Sequence, residues 1–277
     1  MTSARLVAEV LRVTGAAKGG HGGTLDPMAT GILPVALGEA TKTVAYVVGS
    51  SKTYQFTVCW GEARDTDDAD GKVIAASDVR PDETAIRDAL AGFTGTIEQV
   101  PPTYAAIKVK GVRAYALARR GKPVSLPARQ VVIEHIELIE MTDRDHATFE
   151  MRCGKGTYVR AFARDLAVRL GTVGHLAALR RTAVGRFGES DAISLAKLEA
   201  LVHIGALSEH MRPVETALAD IPALAVTKDQ AIRLKRGQAV QIPCGGPAMV
   251  RLSVGGRLVA IAEVSDGKAR PVRVFNI

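Results

Sequence analysis

The sequence predicts a mixed α+β protein with a small β-rich tail, and three observations carry that prediction. Strands and helices alternate irregularly, without the steady βαβ rhythm of a doubly wound sheet. Of 277 residues, 47% are hydrophobic and 23% charged, the balance of an ordinary globular protein. After Asp220-Ile221-Pro222 the texture changes to brief strands broken by Gly245-Gly246-Pro247, Gly255-Gly256 and Asp266-Gly267, which reads as a β-barrel-like appendage. At ~100–200 residues per domain, this length suits one large domain or one large plus one small, the small one being the tail after Pro222.

The elements follow in order. Thr2-Ser3 is an N-cap, Leu6, Val7, Val10 and Leu11 form a helical stripe, and Gly15 is the stop. A glycine-dense loop follows, from Lys18 to Pro27, and then the apolar run Ile32 to Leu37. Thr53 to Trp60 alternates as a strand, with Tyr54, Phe56 and Val58 on one face. The acidic stretch Asp65 to Gly71 lacks calcium-loop spacing and is expected to be a solvated turn. Asp82 to Phe93 reads as a helix, Tyr104 to Val109 as a strand, and Ala114 to Arg120 as a short basic helix stopped by Gly121. Val131 to Ile139 and Ala147 to Cys153 are neighbouring strands, Val159 to Leu170 is a helix ended by Gly171, and Lys228 to Arg236 is a basic helix.

Composition narrows the setting. No apolar run approaches the ~18 residues of a membrane span, and Met1 leads no secretory pattern, so a cytoplasmic protein is expected. Cys59, Cys153 and Cys244 are odd in number and widely spaced, which disfavours a disulfide framework or a CxxC-type zinc site. Lys and Arg total 36 against 29 Asp and Glu, a net charge of +7 that favours a polyanionic partner. The basic residues cluster: Arg113, Arg119, Arg120, Lys122 and Arg129 in one group, Arg180, Arg181 and Arg186 in another.

Asp26 draws attention because Pro27 drives it out of the α region, while glycines at 19, 20, 22 and 23 permit close backbone approach. Such a carboxylate can do chemistry. Asp-Pro is also a favoured N-cap pair that would start a helix at Met28, and spacing alone favours this second reading. No phosphate-loop or dinucleotide pattern is present.

The run Gly20-His21-Gly22-Gly23-Thr24-Leu25-Asp26-Pro27-Met28-Ala29-Thr30-Gly31, continuing to Leu37-Gly38-Glu39-Ala40-Thr41-Lys42, closely resembles the catalytic motif of the TruB family of bacterial tRNA pseudouridine-55 synthases. In the same order, Lys52-Thr53-Tyr54, Asp65 to Gly71, Pro101 to Lys108, Lys155 to Arg160 and His175 to Arg181 resemble further family segments. The resemblance covers about residues 1 to 215. It implies the pseudouridine synthase fold, a mainly antiparallel central sheet with flanking helices, and the tail from Ile221 resembles the family's PUA-like RNA-binding domain.

The implied reaction cuts the N1–C1′ bond of a uridine in the T-loop of tRNA, rotates the base and rejoins it through C5, with no metal or cofactor. By resemblance Asp26 is the catalytic aspartate, acting as an ionised group that either attacks carbon or takes a proton from the sugar. A closed pocket raises a carboxylate's pKa unless a counter-charge is present, and Arg160 is the implied partner. Tyr54 is expected to stack on the base, with Tyr158 and Leu179 lining the same pocket. His21 is expected to fill the space left by the extruded base, and Arg180 and Arg181 to contact phosphates of the T-arm. The resemblance further implies a monomer without an obligatory protein partner. The alternatives are a non-catalytic tRNA-binding or chaperone protein and a guide-dependent, dyskerin-like synthase. One departure is expected to matter: the family's strand and Lys-Pro-x-Gly segment would precede Thr2-Ser3, where Met1 stands.

Overall fold

The computed structural model describes residues 1–105, 107–109, 111–114, 117, 120, 125–243 and 248–277. The described helices are α1 (Ser3–Thr14), α2 (Val44–Gly49), α3 (Glu83–Leu90), α4 (Val159–Arg169), α5 (Leu195–His203) and α6 (Lys228–Lys235). The first strands are β1 (Gly19–His21), β2 (Thr30–Gly31), β3 (Val35–Leu37), β4 (Lys52–Trp60), β5 (Glu62–Arg64), β6 (Val73–Ala76), β7 (Gly95–Gln99), β8 (Lys108–Val109) and β9 (Val112–Arg113). The remainder are β10 (Arg129–Met141), β11 (His146–Cys153), β12 (Gly174–Val184), β13 (Phe187–Gly188), β14 (Ala223–Ala225), β15 (Val240–Gln241), β16 (Ala248–Val254), β17 (Arg257–Ser265) and β18 (Lys268–Val274).

The chain forms two compact units. One comprises 25–32 and 49–192, and is built on a seven-stranded sheet in the order β13-β12-β4-β11-β10-β7, with β2 added in parallel beside β12. Along β4, Phe56, Val58 and Trp60 face inward, as period-2 alternation requires. They meet Ile86 and Leu90 of α3 and Phe162, Ala163 and Leu166 of α4 in one hydrophobic core. Phe56 stacks on Phe149 at 5.5 Å and takes the edge of Phe162 at 5.6 Å, so the few aromatics of the chain are concentrated here. Asp82 caps α3 through the amide of Ala85 at 2.8 Å.

The other unit comprises 1–24, 33–48 and 193–277. Its α1 begins as the sequence dictates, with the Thr2 hydroxyl accepting from the Arg5 amide and Gly15 closing the helix at φ 67°. A β1–β3 hairpin pairs His21 with Val35. Strands β14 to β18 form a five-stranded sheet in the order β14-β16-β17-β18-β15, and Ala231 and Leu234 of α6 bury against Val250, Leu252 and Val264. The mixed α+β class with mainly antiparallel sheets is therefore observed.

Four local expectations change. Asp26-Pro27 starts no helix: the Ala29 amide donates to the Asp26 carbonyl at 2.9 Å, closing a turn with proline at its second position. The acidic stretch is not a solvated turn, because Asp68 is buried and its neighbours bond to β12. Thr103 and Tyr104 lie in a turn, and among the described residues of the expected strand, strand structure is confined to Lys108–Val109. β12 is an eleven-residue strand where the sequence suggested only a motif. Ala106, Arg119, Gly121, Lys122, Cys244 and Gly245-Gly246-Pro247 lie outside the described residues, as does most of the expected basic helix around Ala114 to Arg120.

Candidate active site

The site is assembled on β12, β4 and the start of α4. β2 follows the Asp26 turn and pairs Thr30 with Arg180 and Gly31 with Arg181. The approach is close: Gly31 has φ 96°, and a Cβ there would fall 2.2 Å from the Arg181 carbonyl oxygen, so only glycine fits. The Ile32 amide donates to the Arg181 carbonyl at 2.8 Å, and the Arg181 Nε–H returns a bond to the Ile32 carbonyl at 2.8 Å. The segment that carries Asp26 is thereby pinned to the sheet.

Arg160 is the second residue of α4, and its guanidinium reaches Asp26 bidentately, Nε to Oδ2 at 2.8 Å and Nη2 to Oδ1 at 3.1 Å. The remaining N–H groups find the Thr66 carbonyl at 3.1 Å and the Tyr104 carbonyl at 3.4 Å, and Asp68 Oδ2 lies 3.4 Å from Nη1. One guanidinium therefore serves two carboxylates of unequal access. The Asp26 side chain is 31% exposed, whereas Arg160 and Asp68 keep 5% and 8%, so Asp26 alone is open to a substrate.

Asp68 is a site residue that sequence reasoning missed. It sits at the tip of the β5–β6 hairpin, held by the Thr66 hydroxyl at 2.5 Å and the Asp70 amide at 3.2 Å. The tip docks on β12 because the Leu176 amide donates to the Asp67 carbonyl and the Ala69 amide to the Leu176 carbonyl, each at 3.0 Å. Arg164, one turn beyond Arg160 on α4, pairs with Asp67 at 2.8 Å. The paired spacing of Arg160 and Arg164 against Asp67 and Asp68 is the sequence signal that could have found it. Burial pushes the Asp67 carboxyl above its usual range, opposed by Arg164. His175 is buried and bonds the Glu62 carbonyl through Nδ1 at 2.8 Å, and burial depresses its pKa.

The tyrosines converge on this centre. Tyr54 on β4 sits in register between Met151 and Arg181 and packs on the core that also receives Met28 and Ala29. Tyr158, preceding α4, has its backbone gripped by Gln99, whose amide accepts from the Tyr158 N–H at 2.8 Å and donates to its carbonyl at 3.2 Å. Burial raises the pKa of both phenols, and the Asp26 carboxylate adds to the rise in each. Leu179 is buried opposite Phe56, and lines a cavity of about 460 Å³ with Met28, Thr30 and Arg180.

The basic residues divide. Arg180 is exposed and pairs with Glu189, Nε to Oε1 at 2.7 Å. Arg181 departs from the expected phosphate contact: it is 1% exposed and its guanidinium bonds inward to Ile32 and to the Tyr54 phenol, because a strand position facing the core leaves it no path outward. Arg186 and Arg120 are exposed. His21 belongs to the other compact unit, on β1. No group of His, Cys, Asp and Glu suited to a metal ion occurs among the described residues.

The chain is similar to known proteins along its whole length. Residues 11–159 match the TruB family pseudouridylate synthase N-terminal domain, and residues 160–219 the tRNA pseudouridylate synthase B C-terminal domain. The tRNA pseudouridine synthase B of Bradyrhizobium diazoefficiens is 55% identical over 100% of this chain and 83% of its own. That of Rhodospirillum rubrum is 50% identical over 100% and 93%. A solved Cbf5-Nop10-Gar1 complex contains a chain with a TM-score of 0.77 and 24% identity, covering 100% of this chain and 81% of that one, a likeness of fold. The chain belongs to the TruB family of pseudouridylate synthases.

Proposed function

We propose that this protein converts uridine to pseudouridine in tRNA, at position 55 of the T-loop. The observation that carries the reading is the Asp26–Arg160 pair: a reachable carboxylate clamped bidentately on a buried guanidinium, in a chain about half identical to tRNA pseudouridine synthases B. The reaction breaks the N1–C1′ bond and forms C5–C1′, with C5 giving up its proton and N1 ending protonated, so a base must come loose and turn while its sugar stays fixed. Asp26 acts at the sugar, by attack on carbon or by removal of a proton, using oxygen lone pairs that Arg160 leaves free. Preorganisation of the guanidinium supplies the counter-charge without reorganisation as the reaction proceeds.

Tyr54 holds the uracil face by stacking, worth ~1–3 kcal/mol without reading its edge. Tyr158 and Leu179 close the pocket around it. His21 occupies the room left by the extruded base and offsets part of an unstacking cost of a few kcal/mol. Arg180 and Arg186 contact phosphates, Arg181 positions Tyr54 and the Asp26 segment, residues 1–215 form the catalytic part, and residues 221–277 form an RNA-binding domain. The T-arm stem-loop is the partner, the protein works as a monomer without an obligatory protein partner, and tRNA places it in the cytoplasm.

The test is incubation of the purified protein with an unmodified T-arm stem-loop and detection of pseudouridine at the loop uridine. Product at that uridine supports the reading. Tight binding without product leaves a tRNA-binding protein and overturns it.

A further inference from the structure

The motif Gly38-Glu39-Ala40-Thr41-Lys42 lies next to the Asp26 loop in sequence, yet its two charged side chains are engaged elsewhere. Lys42 Nζ donates to Glu39 Oε2 at 2.7 Å and to the Val274 carbonyl at 2.8 Å. The same Glu39 oxygen accepts from the Asn276 amide at 2.8 Å. Between those two anchor points lies Phe275, fully buried, with the Lys42 ammonium 5.9 Å above its ring. Phe275 packs with Leu218, Leu258 and Ile261, and Tyr46 of α2 joins that cluster. The Phe275 amide in turn donates to the Val259 carbonyl at 2.9 Å. Both charged groups are about 30% exposed, and each reads backbone, so the contact depends on the path of 274–276 and not on its side chains.

From this latch a short rigid chain leads to His21. The Gly38 amide donates to the Lys18 carbonyl at 2.8 Å, and the β1–β3 ladder pairs Gly19 with Leu37 and His21 with Val35. α2 follows the motif directly, and a Cβ on Gly22 would fall 2.4 Å from its Val47, so helix and hairpin are in close contact. Every member of this chain belongs to the same compact unit.

We infer that Glu39 and Lys42 are positioning residues that fasten the C-terminal β-sheet, through 274–276, to the hairpin that presents His21. The latch sets where His21 stands when RNA is engaged and does nothing at the reacting atoms. Its RNA consequence rests on the function proposed above; its mechanical part does not.

The test uses the full chain with Lys42→Met, which keeps the stem length and removes the ammonium, and Glu39→Gln as a milder second variant. Amide hydrogen exchange should quicken together in 19–21, 35–37 and 268–276 while 25–32, 52–60 and 146–153 stay unchanged. KM for the T-arm stem-loop should rise about five- to twentyfold with kcat within about twofold, the size of coupling that packed networks carry. His21→Ala and Lys42→Met should be less than additive in KM. Should Lys42→Met fail to fold, Glu39→Gln decides on the same readouts. Unchanged exchange in 19–21 and 35–37, or a loss confined to kcat, overturns the latch. If the wild-type protein makes no pseudouridine, the proposed function fails, and the exchange result still decides the mechanical claim.

Discussion

Arg160 stands between two carboxylates, and the difference in their accessibility assigns their parts. Asp26 faces the opening, while Asp68 is enclosed and bonded to Thr66 and the Asp70 amide. Asp68 is therefore expected to set the guanidinium's angle and not to touch substrate. Replacing Asp68 by Asn keeps an acceptor of the same shape and removes its charge. Because a misplacement of about 1 Å can cost roughly 100-fold, kcat should fall ~10- to 100-fold with T-arm binding retained, as measured by single-turnover rates beside filter binding. Unchanged turnover would assign Asp68 a purely structural part. At this scale Asp26, Arg160 and the two tyrosines were legible, by resemblance to a family motif. Asp68 was not, because a run of aspartates beside glycine has the pattern of a solvated turn and only its docking on Leu176 reveals burial. Arg181 misled for the converse reason. Adjacent arginines look like one basic patch, yet neighbours on a strand face opposite ways.

At the scale of elements, β12 organises the site: it receives β2 beside Asp26, the acidic tip at Leu176, and Tyr54 of β4 through Arg181. Helices α1 and α3 and strands β4, β10 and β11 were legible from period and caps, since a buried face writes itself into the apolar spacing. β12 was not. Register shifts between Leu176 and Ala178, and between Arg181 and Ala183, break its alternation, and buried His175 and Arg181 put polar letters on inward positions. His175 yields a pH prediction. Its folded pKa lies below the usual 6.5 because burial disfavours the charged ring, with Glu62, Arg64 and Asp68 as the charged neighbours. As pH falls through 6.5 the unfolded chain takes up a proton that the folded chain refuses, so stability drops, by at most ~1.4 kcal/mol per pH unit, until the folded value is reached. Thermal melts between pH 7.5 and 5.5 should show this loss in the wild type and a shallower slope in His175→Gln, which can still donate to the Glu62 carbonyl. Equal slopes would show that His175 does not drive the loss.

Over the whole molecule, each compact unit draws on segments far apart in sequence, 1–24 and 33–48 with 193–277 in one, 25–32 with 49–192 in the other. Composition along a chain reports contiguous changes of texture and cannot show such interleaving, so the tail's short strands were legible and the company they keep was not. A net charge of +7 has its consequence at this scale as well. If exposed Arg180, Arg186 and Arg120 hold phosphates, binding of the stem-loop should weaken steeply with salt, log K falling by about 0.7–0.9 per phosphate contacted for each decade of salt. Titration from low to moderate salt checks it, and a flat response would contradict a phosphate-borne interface. The proposed reaction rests on the carboxylate of Asp26. The most direct measurement is pseudouridine formation and stem-loop affinity for Asp26→Asn beside the wild type. Product should vanish while affinity stays within about threefold, a difference well under 1 kcal/mol; product formed at the wild-type rate would contradict the account.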